Sequence, residues 1–385
     1  MLLFKQKIEF LLLFYKLTFV MLFHIIINTL SKNSKFDFRL IKFKNGIFSM
    51  LFMIVIRTPL RISLGGGGTD LPFYANVHGG SLLTATINKY INVSISPRLE
   101  KDFKLNYSQT EIVKEVMDIE HPLFREALKL VGISNGVELH STAELPSGTG
   151  LGSSQSFLVG LLHALYRFKG ITPSHYMLAE DASHVTMDIL EEPCGKQDQY
   201  AASFGGVMHL DISPTGKVQV TPLNLTYQTI KRLENNLMLF YTGFRRSAVE
   251  VLQSQADQAG KDKKIRKEEL FNYYHKIKEI GVQSRGALES GDLRKFGKLL
   301  DLHWNFKKGI SSKMSNPQIN AWYETAKKHG ALGGKLIGAG GGGFLMVYVE
   351  EFHERMKLSL EKEGLIYTPF SFDFGGSVEA YNGLK

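Results

Sequence analysis

A glycine-rich turn that runs straight into an apolar helix constrains this chain more than any other stretch. Residues 144–157 read ELPSGTGLGSSQSF, and the apolar run FLVGLLHALYRF follows without a break. Glycines leave backbone N–H groups uncovered, and a helix N-terminus adds the positive end of its dipole. The stretch therefore predicts a phosphate-binding loop. The residues expected to form it are Pro146, Ser147, Gly148, Thr149, Gly150, Leu151, Gly152, Ser153 and Ser154.

Two readings of the serines at the start of this helix stay open. Ser153 and Ser154 could cap the helix, as serine commonly does, or could contact a phosphate oxygen or a metal ion. Three glycines and two hydroxyls close together exceed what capping requires, which favours the phosphate reading.

The better-known nucleotide motifs do not fit. A Walker loop requires Gly-Lys followed by Ser or Thr, and the sequence contains no such triplet. The GxGxxG match at Gly338, Gly340 and Gly343 runs into the strand-like FLMVYVE rather than a helix. P-loop and dinucleotide-binding folds are therefore disfavoured.

Composition and charge narrow the class of protein. The chain has 385 residues, one cysteine and a net charge of +9. A single cysteine fits a reducing compartment, so we expect a cytoplasmic protein. The lysines of AGKDKKIRKEE alternate with acids, which indicates a solvated helix face rather than a nucleic-acid groove. We expect small phosphorylated ligands and no nucleic acid, and the sequence leaves oligomerisation open.

Residues 1–52 differ in composition from the rest. They are rich in Leu, Phe, Ile, Lys and Asn, and Lys16 and His24 interrupt their apolar stretch. A membrane span needs about 20 uninterrupted apolar residues. We therefore expect an extension outside the folded domains rather than a membrane anchor.

A second glycine loop follows the first predicted strand. IVIRTPLRISLGGGGTDLPFY carries four glycines at 65–68 and then Thr69 and Asp70. Such a loop lets backbone approach a ligand, with one carboxylate beside it. Asp70 could instead close an Asx-turn. We predict that Gly68, Thr69 and Asp70 contact the substrate.

The segment EEPCGKQDQYAASFGG supplies candidates for chemistry. Lys196 and Asp198 stand on a loop after a predicted helix, and such a pair is commonly a surface ion pair. Beside a phosphate site, Asp198 could accept the proton of an acceptor hydroxyl. Asp188, on the preceding helix, could supply a carboxylate to Mg²⁺.

Four stretches in order, RTPLRISLGGGGTDLP, LPSGTGLGSSQSF, CGKQDQYAASFGG and KLIGAGGGGFLMVY, resemble the signature regions of the GHMP small-molecule kinases. The sequences GGGGTDLPFY and GKQDQYAASFGG are most similar to those of the heptose 7-phosphate kinases of that superfamily. The resemblance covers residues 54–385.

The resemblance implies ATP and Mg²⁺ as cofactors and assigns roles to residues. Ser154 would be a Mg²⁺ ligand, Asp198 the general base, and Arg61 the cation that orients it. Asp70 would bind sugar hydroxyls. The candidates for the second metal ligand are Asp188, Glu191 and Glu192, and we name Asp188. The third motif, with Gly340 and Gly341, would border the phosphate loop.

The same resemblance implies an α+β fold of two domains. Residues 53–225 would form an ATP-binding domain of the ribosomal-protein-S5 type, and residues 226–385 a ferredoxin-like domain. The expected reaction is phosphorylation of the anomeric hydroxyl of D-glycero-D-manno-heptose 7-phosphate, on the route to a nucleotide-activated heptose for surface glycans. A fucose- or galactose-type 1-kinase and a non-catalytic relative that binds ATP and sugar are the alternatives.

A phosphorylated sugar would require cations for its second anion. Arg57, Lys196, Arg245 and Arg246 are the candidates, and Arg246 follows a predicted strand where a helix N-terminus could assist. A solvated arginine pair is the alternative reading of Arg245 and Arg246.

Overall fold

The computed structural model describes residues 53–134, 136–244, 252–253 and 264–383. The predicted extension, residues 1–52, lies outside the described residues, and so do Arg245 and Arg246. The described residues all belong to one compact unit.

A large sheet carries most of the N-terminal part of the chain. Among the described residues it has eight strands: β1 (Ile54–Gly65), β2 (Gly80–Pro97), β3 (Phe103–Asn106), β4 (Thr110–Val113), β5 (Val137–Ala143), β6 (Val207–Ile212), β7 (Val218–Pro222) and the C-terminal β12 (Val378–Asn382). The main path is β12-β1-β2-β5-β3-β4, while β6 pairs with β2 and β7. Only β3 and β5 run parallel among these described pairs.

Strand β1 separates the core from the functional face. Its apolar side chains recur at every second position, and Ile56, Leu60 and Ile62 are fully buried. Side chains alternate between the two faces of a strand. Arg61 and Ser63 therefore share the opposite face.

Helices cover this sheet. They are α1 (Pro72–His78), α2 (Pro122–Val131), α3 (Ser153–Phe168), α4 (His175–Ser183) and α5 (Gln197–Phe204), with a π-helical segment, His184–Ile189, directly after α4. Helix α3 packs against β1 and β2. A Cβ at Gly160 of α3 would lie 2.8 Å from the Thr58 hydroxyl oxygen, so glycine allows this close approach. The middle of α3 is thereby held beside the middle of β1, and near its N-terminus the Ser156 hydroxyl donates to the Pro59 carbonyl at 2.8 Å.

The second sheet lies in the C-terminal half. Its elements are α6 (Tyr227–Asn236), β8 (Leu237–Tyr241), α7 (Lys264–Glu289), α8 (Leu293–Ile310), α9 (Pro317–Lys328), β9 (Gly333–Leu336), β10 (Phe344–Tyr348), α10 (His353–Lys362) and β11 (Ile366–Thr368). The order β11-β8-β10-β9 is antiparallel throughout the described strands. From β8 onward the chain follows the βαββαβ sequence of a ferredoxin-like unit.

The predicted α+β class is confirmed. The border near residue 225 stays a prediction, and the structure adds one qualification to it. Strand β12 returns from the C-terminal half to pair with β1, so the last strand completes the first sheet. Within the described ranges, no helix is both long and apolar enough to cross a membrane.

Candidate active site

The predicted phosphate loop connects β5 to α3 and is shaped by left-handed glycines. Gly148, Gly150 and Gly152 have φ values of 74°, 84° and 77°. Gly152 is the N-cap of α3, and no described side chain caps that helix, so the capping reading of the two serines is wrong. The first turn of α3 keeps its N–H groups open to a ligand.

The third glycine motif packs directly on this loop. A Cβ at Gly150 would lie 2.4 Å from the Ile337 carbonyl oxygen, and one at Gly338 would lie 2.6 Å from the Gly150 Cα. A Cβ at Gly343 would lie 2.1 Å from the Thr149 carbonyl oxygen. Only glycine permits backbone contacts this close. The two loops therefore hold each other in place.

A cavity of about 380 Å³ opens beside these loops. Its described lining is Arg61, Ser63, Gly67, Gly68, Asp70, Leu71, Ser147, Gly148, Gly150, Gly152, Ser153, Ser154, Gln155, Glu192, Pro193, Cys194, Gly195, Gln197, Asp198, Leu252, Tyr274, Lys307, Ile310, Gly338 and Ala339. The structure thus brings Ser147, Gly148, Gly150, Gly152, Ser153 and Ser154 together with Arg61, Gly68, Asp70 and Asp198.

Several predicted ligand contacts do not face this cavity. Thr149 and Leu151 are fully buried, and the Thr149 hydroxyl donates to the carbonyl of Pro146 at 3.0 Å. The N–H of Gly341 donates to the Met314 carbonyl at 2.8 Å, and Gly340 packs on the same methionine. These residues build the loops, and the Thr149 hydroxyl and the Gly341 N–H are already bonded within the protein.

Arg61 and Asp198 form the central ion pair. The Arg61 guanidinium donates to both Asp198 carboxylate oxygens at 2.7 Å, and its third contact is the Gly150 carbonyl at 2.5 Å. The Arg61 backbone N–H also donates to the Leu151 carbonyl at 3.0 Å. A two-point pair fixes the carboxylate in direction as well as in position. Asp198 is thereby held against the phosphate loop, with its side chain 23% exposed.

Asp70 provides a second carboxyl beside Asp198. Its oxygens accept from the backbone N–H groups of Gln197 at 3.1 Å and Gly68 at 3.2 Å. Burial raises the pKa of Asp70, and the Asp198 charge adds to this, while the hydrogen bond from Gln197 lowers it. A Cβ at Gly195 would lie 2.0 Å from an Asp70 oxygen, so glycine is required there. Thr69 faces away, because its hydroxyl donates to the carbonyls of Gly66 and Ser81.

Lys196 was predicted to bind substrate, but its side chain is directed away from the described cavity. Its ammonium group donates to both oxygens of Glu180, at 3.0 and 2.8 Å, and to the Gly216 carbonyl at 3.0 Å. Lys196 is the N-cap of α5, so its side chain leaves toward α4 while Asp198 turns into the cavity. Arg57 is also directed elsewhere, 4.6 Å above the ring of Tyr90.

The predicted metal ligand Asp188 does not line the described cavity, whereas Glu192, four residues later, does. Asp188 is largely exposed, pairs with His184 at 2.8 Å and is absent from the described cavity lining. Glu192 lines the cavity, and burial raises the pKa of its carboxyl. The π-helical segment and a left-handed Glu191, φ 52°, change the chain direction between the two residues.

Lys307, on α8, is a cavity residue that sequence reasoning missed. Its ammonium donates to the Gly338 carbonyl at 2.6 Å, and the residue is 6% exposed. Lys307 therefore places a second cation beside the junction of the two glycine loops. No local sequence motif indicates its role, because only the tertiary fold brings α8 to the cavity. The sequence analysis also did not single out Ser63, Gln197 and Tyr274, which line the cavity as well.

A divalent ion has suitable ligands at this site. Mg²⁺ is commonly held by one or two carboxylates, a hydroxyl and phosphate oxygens. Ser154 and Glu192 both line the cavity, and the half-buried carboxyl of Glu192 has no described basic side chain that lowers its pKa. Over the described ranges, no cluster of three or more His, Cys, Asp or Glu could hold an ion by itself. Phosphate oxygens would have to complete the coordination.

Comparison with known proteins agrees with this geometry. The model of the GHMP kinases N terminal domain matches residues 111–206, and that of the GHMP kinases C terminal domain matches residues 284–360. The chain is 29% identical over 336 residues to the D-glycero-alpha-D-manno-heptose 7-phosphate kinase of Campylobacter jejuni, covering 82% of this chain and 95% of that protein. It is 27% identical over 333 residues to the galactokinase of Pyrococcus furiosus, covering 77% and 89%.

A solved structure shows the same fold. The crystal structure of a D-glycero-D-manno-heptose 1-phosphate kinase from Bacteriodes thetaiotaomicron superposes with a TM-score of 0.69 at 24% identity, covering 85% of this chain and 99% of that one. Both family domains, the two sheets and the paired glycine loops point to one conclusion. The chain carries the N-terminal and C-terminal domains of the GHMP kinases.

Proposed function

We propose that this protein is an ATP- and Mg²⁺-dependent sugar kinase that phosphorylates the anomeric hydroxyl of D-glycero-D-manno-heptose 7-phosphate. The observation that carries the proposal is the position of the Asp198 carboxylate. A Cβ at Gly152 would lie only 3.2 Å from its Oδ2 atom. The open helix N-terminus can bind a phosphate group, and the carboxylate beside it can accept the proton of the hydroxyl that attacks this phosphate.

The residues divide the work of phosphoryl transfer. Asp198 accepts the proton of the acceptor hydroxyl, while the backbone of the loop between β5 and α3 holds the phosphates of the nucleotide. The Arg61 guanidinium keeps Asp198 oriented and adds positive charge where the transferred group becomes more negative. Lys307 adds a second cation on the Gly338 side. Phosphoryl transfer depends mainly on such positioning and charge.

Mg²⁺ would contribute neutralisation of phosphate charge when bound. In the proposal Ser154 and Glu192 hold the ion, since both face the cavity. The Glu192 carboxyl, whose pKa burial raises, would gain an opposite charge on metal binding.

The heptose phosphate acceptor is supported by the similarity to the Campylobacter jejuni enzyme. We assign the product to the supply of a nucleotide-activated heptose for surface glycans, and the reaction to the cytoplasm, where ATP is made. The 7-phosphate would need cations of its own. Arg246 stays our prediction for this role, and it lies outside the described residues.

An unphosphorylated hexose is the second candidate acceptor, and one observation favours it. The cations in the described cavity lining are Arg61 and Lys307, and both already bond to protein oxygens. Neither is positioned as a dedicated partner for a distal phosphate. The galactokinase of Pyrococcus furiosus is a relative of this kind by its name.

A substrate panel tests the proposal. The full chain is incubated with ATP, Mg²⁺ and either heptose 7-phosphate, galactose, fucose or mevalonate, and products are identified by phosphorus NMR. We expect a new anomeric phosphate only with the heptose, to give the 1,7-bisphosphate. An anomeric phosphate on galactose or fucose with no reaction of the heptose would favour the second candidate. No turnover of any sugar would contradict both.

A further inference from the structure

Two buried polar atoms face the cavity beside Asp70 and have no hydrogen-bond partner among the described residues. Ser63 is 4% exposed and Gln197 is 6% exposed, and both line the cavity. Within the described part of the chain, Ser63 Oγ and Gln197 Nε2 find no hydrogen-bond partner. A buried polar atom left unpaired costs about 1–3 kcal/mol, so such atoms in a cavity wall require an explanation.

Both side chains converge on one glycine of the second glycine loop. A Cβ at Gly67 would lie 2.6 Å from Ser63 Oγ and 3.7 Å from Gln197 Oε1. A side chain at position 67 would therefore cover the serine hydroxyl. Glycine leaves the hydroxyl and the amide open to whatever enters the cavity.

The pair stands next to the reacting groups. Ser63 lies two residues beyond Arg61 on β1, and residues at that spacing share one face of a strand about 7 Å apart. Gln197 directly precedes Asp198, and its backbone N–H bonds to the Asp70 carboxyl at 3.1 Å. A molecule whose hydroxyl reaches Asp198 would therefore present its neighbouring atoms to Ser63, Gln197 and Asp70.

The chemistry of this wall suits a polyhydroxylated molecule. Gln197 Nε2 is a donor, Ser63 Oγ can donate or accept, and the Asp70 oxygens accept when ionised. A sugar hydroxyl is both donor and acceptor, so adjacent hydroxyls could satisfy all three groups. An apolar acceptor would leave the serine and the glutamine buried and unpaired.

We propose that Ser63 and Gln197 determine specificity by binding a hydroxyl of the acceptor next to the one that is phosphorylated. The inference rests on the proposed sugar kinase function and extends it to two residues outside the motif residues assigned above. The pair selects acceptors that carry this hydroxyl and rejects deoxy analogues, because the analogue cannot satisfy the buried groups.

The test compares the full chain with its Ser63→Ala and Gln197→Met variants. The acceptors are the sugar that the panel identifies as best and its mono-deoxy analogues at each remaining hydroxyl. Each variant should lower kcat/KM for the full sugar by about 10- to 100-fold. For one deoxy analogue, wild type and variants should agree within about threefold, because the interaction is already absent. Each variant should raise the KM for the sugar and leave the KM for ATP unchanged.

A matched control is Ser203→Ala. Ser203, on α5, is also fully buried and its hydroxyl has no partner among the described residues, yet it is absent from the described cavity lining. This variant should keep the wild-type preference for the full sugar. If Ser63→Ala fails to fold in a thermal melt, Ser63→Cys keeps the size and weakens the hydrogen bond.

The outcomes separate the two proposals. Variants that phosphorylate the sugar yet discriminate against every deoxy analogue as wild type does would overturn the role of Ser63 and Gln197, with the kinase function intact. Loss of activity that raises both KM values equally would also overturn it, since that indicates a structural role. A wild-type chain that turns over no sugar would instead remove the function itself.

Discussion

Glu191 has a left-handed backbone, φ 52°, although it carries a side chain and is exposed. For an L-residue this conformation costs about 1–2 kcal/mol, whereas glycine adopts it freely. We expect Glu191→Gly to retain or raise the free energy of unfolding by up to about 1 kcal/mol, and Glu191→Val to lower it. Urea unfolding measures both. A glycine variant less stable than the valine variant would contradict the strain argument.

The same residue explains why Asp188 lies outside the described cavity lining while Glu192 is part of it. Asp188 and Glu192 are four residues apart, and a regular helix would place both on one face. The π-helical segment His184–Ile189 and the turn at Glu191 break that relation, so only Glu192 reaches the cavity. Hydrophobic periodicity in a sequence does not reveal such an insertion. The glycines and Asp198, by contrast, stand in motifs whose chemistry is local.

Cys194 is the only cysteine of the chain, so the rate of thiol modification reports on this one position in the cavity lining. Burial raises the pKa of its thiol to about 12. The thiolate is the reactive form, so at pH 8 the native thiol should react with iodoacetamide about 1,000-fold more slowly than in the urea-unfolded chain. Mass spectrometry of the time course gives both rates. Equal rates in the folded and unfolded chain would contradict this environment.

At the scale of elements, the contact between the two glycine loops is the feature that shapes the site. Gly150 before α3 and Gly170 after it have similar φ values of 84° and 76°. A Cβ at Gly150 meets the Ile337 carbonyl at 2.4 Å, whereas one at Gly170 has no described atom within 4 Å. The two glycines therefore carry equal conformational strain on substitution and differ in the steric clash.

This pair gives a matched test. Gly170→Ala should lower the free energy of unfolding by about 1–2 kcal/mol through backbone strain alone. Gly150→Ala should cost at least twice as much and weaken ATP binding more than tenfold, because the two loops must separate. Urea unfolding and calorimetric ATP titration measure these effects. Equal losses in the two variants, with ATP affinity preserved, would contradict the role of the loop contact.

Sequence patterns predicted each loop but not the contact between them. Strand β1 follows from apolar residues at alternate positions, and α3 from an apolar run after glycines. Gly150 meets Gly338 only because the C-terminal half packs on the N-terminal half. The positions of Lys307 and Lys196 were equally hard to predict from sequence. The helix that carries Lys307 has no motif, and the partner of Lys196 lies on another helix.

For the whole molecule, buried histidines make stability depend on pH. His163 bonds to the Ser377 hydroxyl at 2.9 Å, and burial, aided by Arg167, lowers its pKa to about 4. The unfolded chain takes up this proton near pH 6.5, but the folded chain does so only near pH 4. Between these values the unfolded state binds more protons, so stability falls as the pH falls.

A substitution isolates this contribution. His163→Gln should reduce the pH dependence of the free energy of unfolding by up to about 1.4 kcal/mol per pH unit between pH 4.5 and 6. Urea titrations at several pH values measure the slope. A His163→Gln slope equal to that of wild type would contradict the assignment.

The Asp198 carboxylate, on α5, lies where β1 and the phosphate loop meet, so its role depends on the fold of the whole molecule. Asp198→Asn keeps the shape of the side chain and removes its capacity to accept a proton. Turnover of the sugar and calorimetric ATP affinity, measured on the same preparation, test the claim most directly. We expect the Asp198→Asn variant to turn over the sugar at least a hundredfold more slowly than wild type and to bind ATP within about threefold of the wild-type affinity. An Asp198→Asn enzyme that phosphorylates the sugar at the wild-type rate would contradict it.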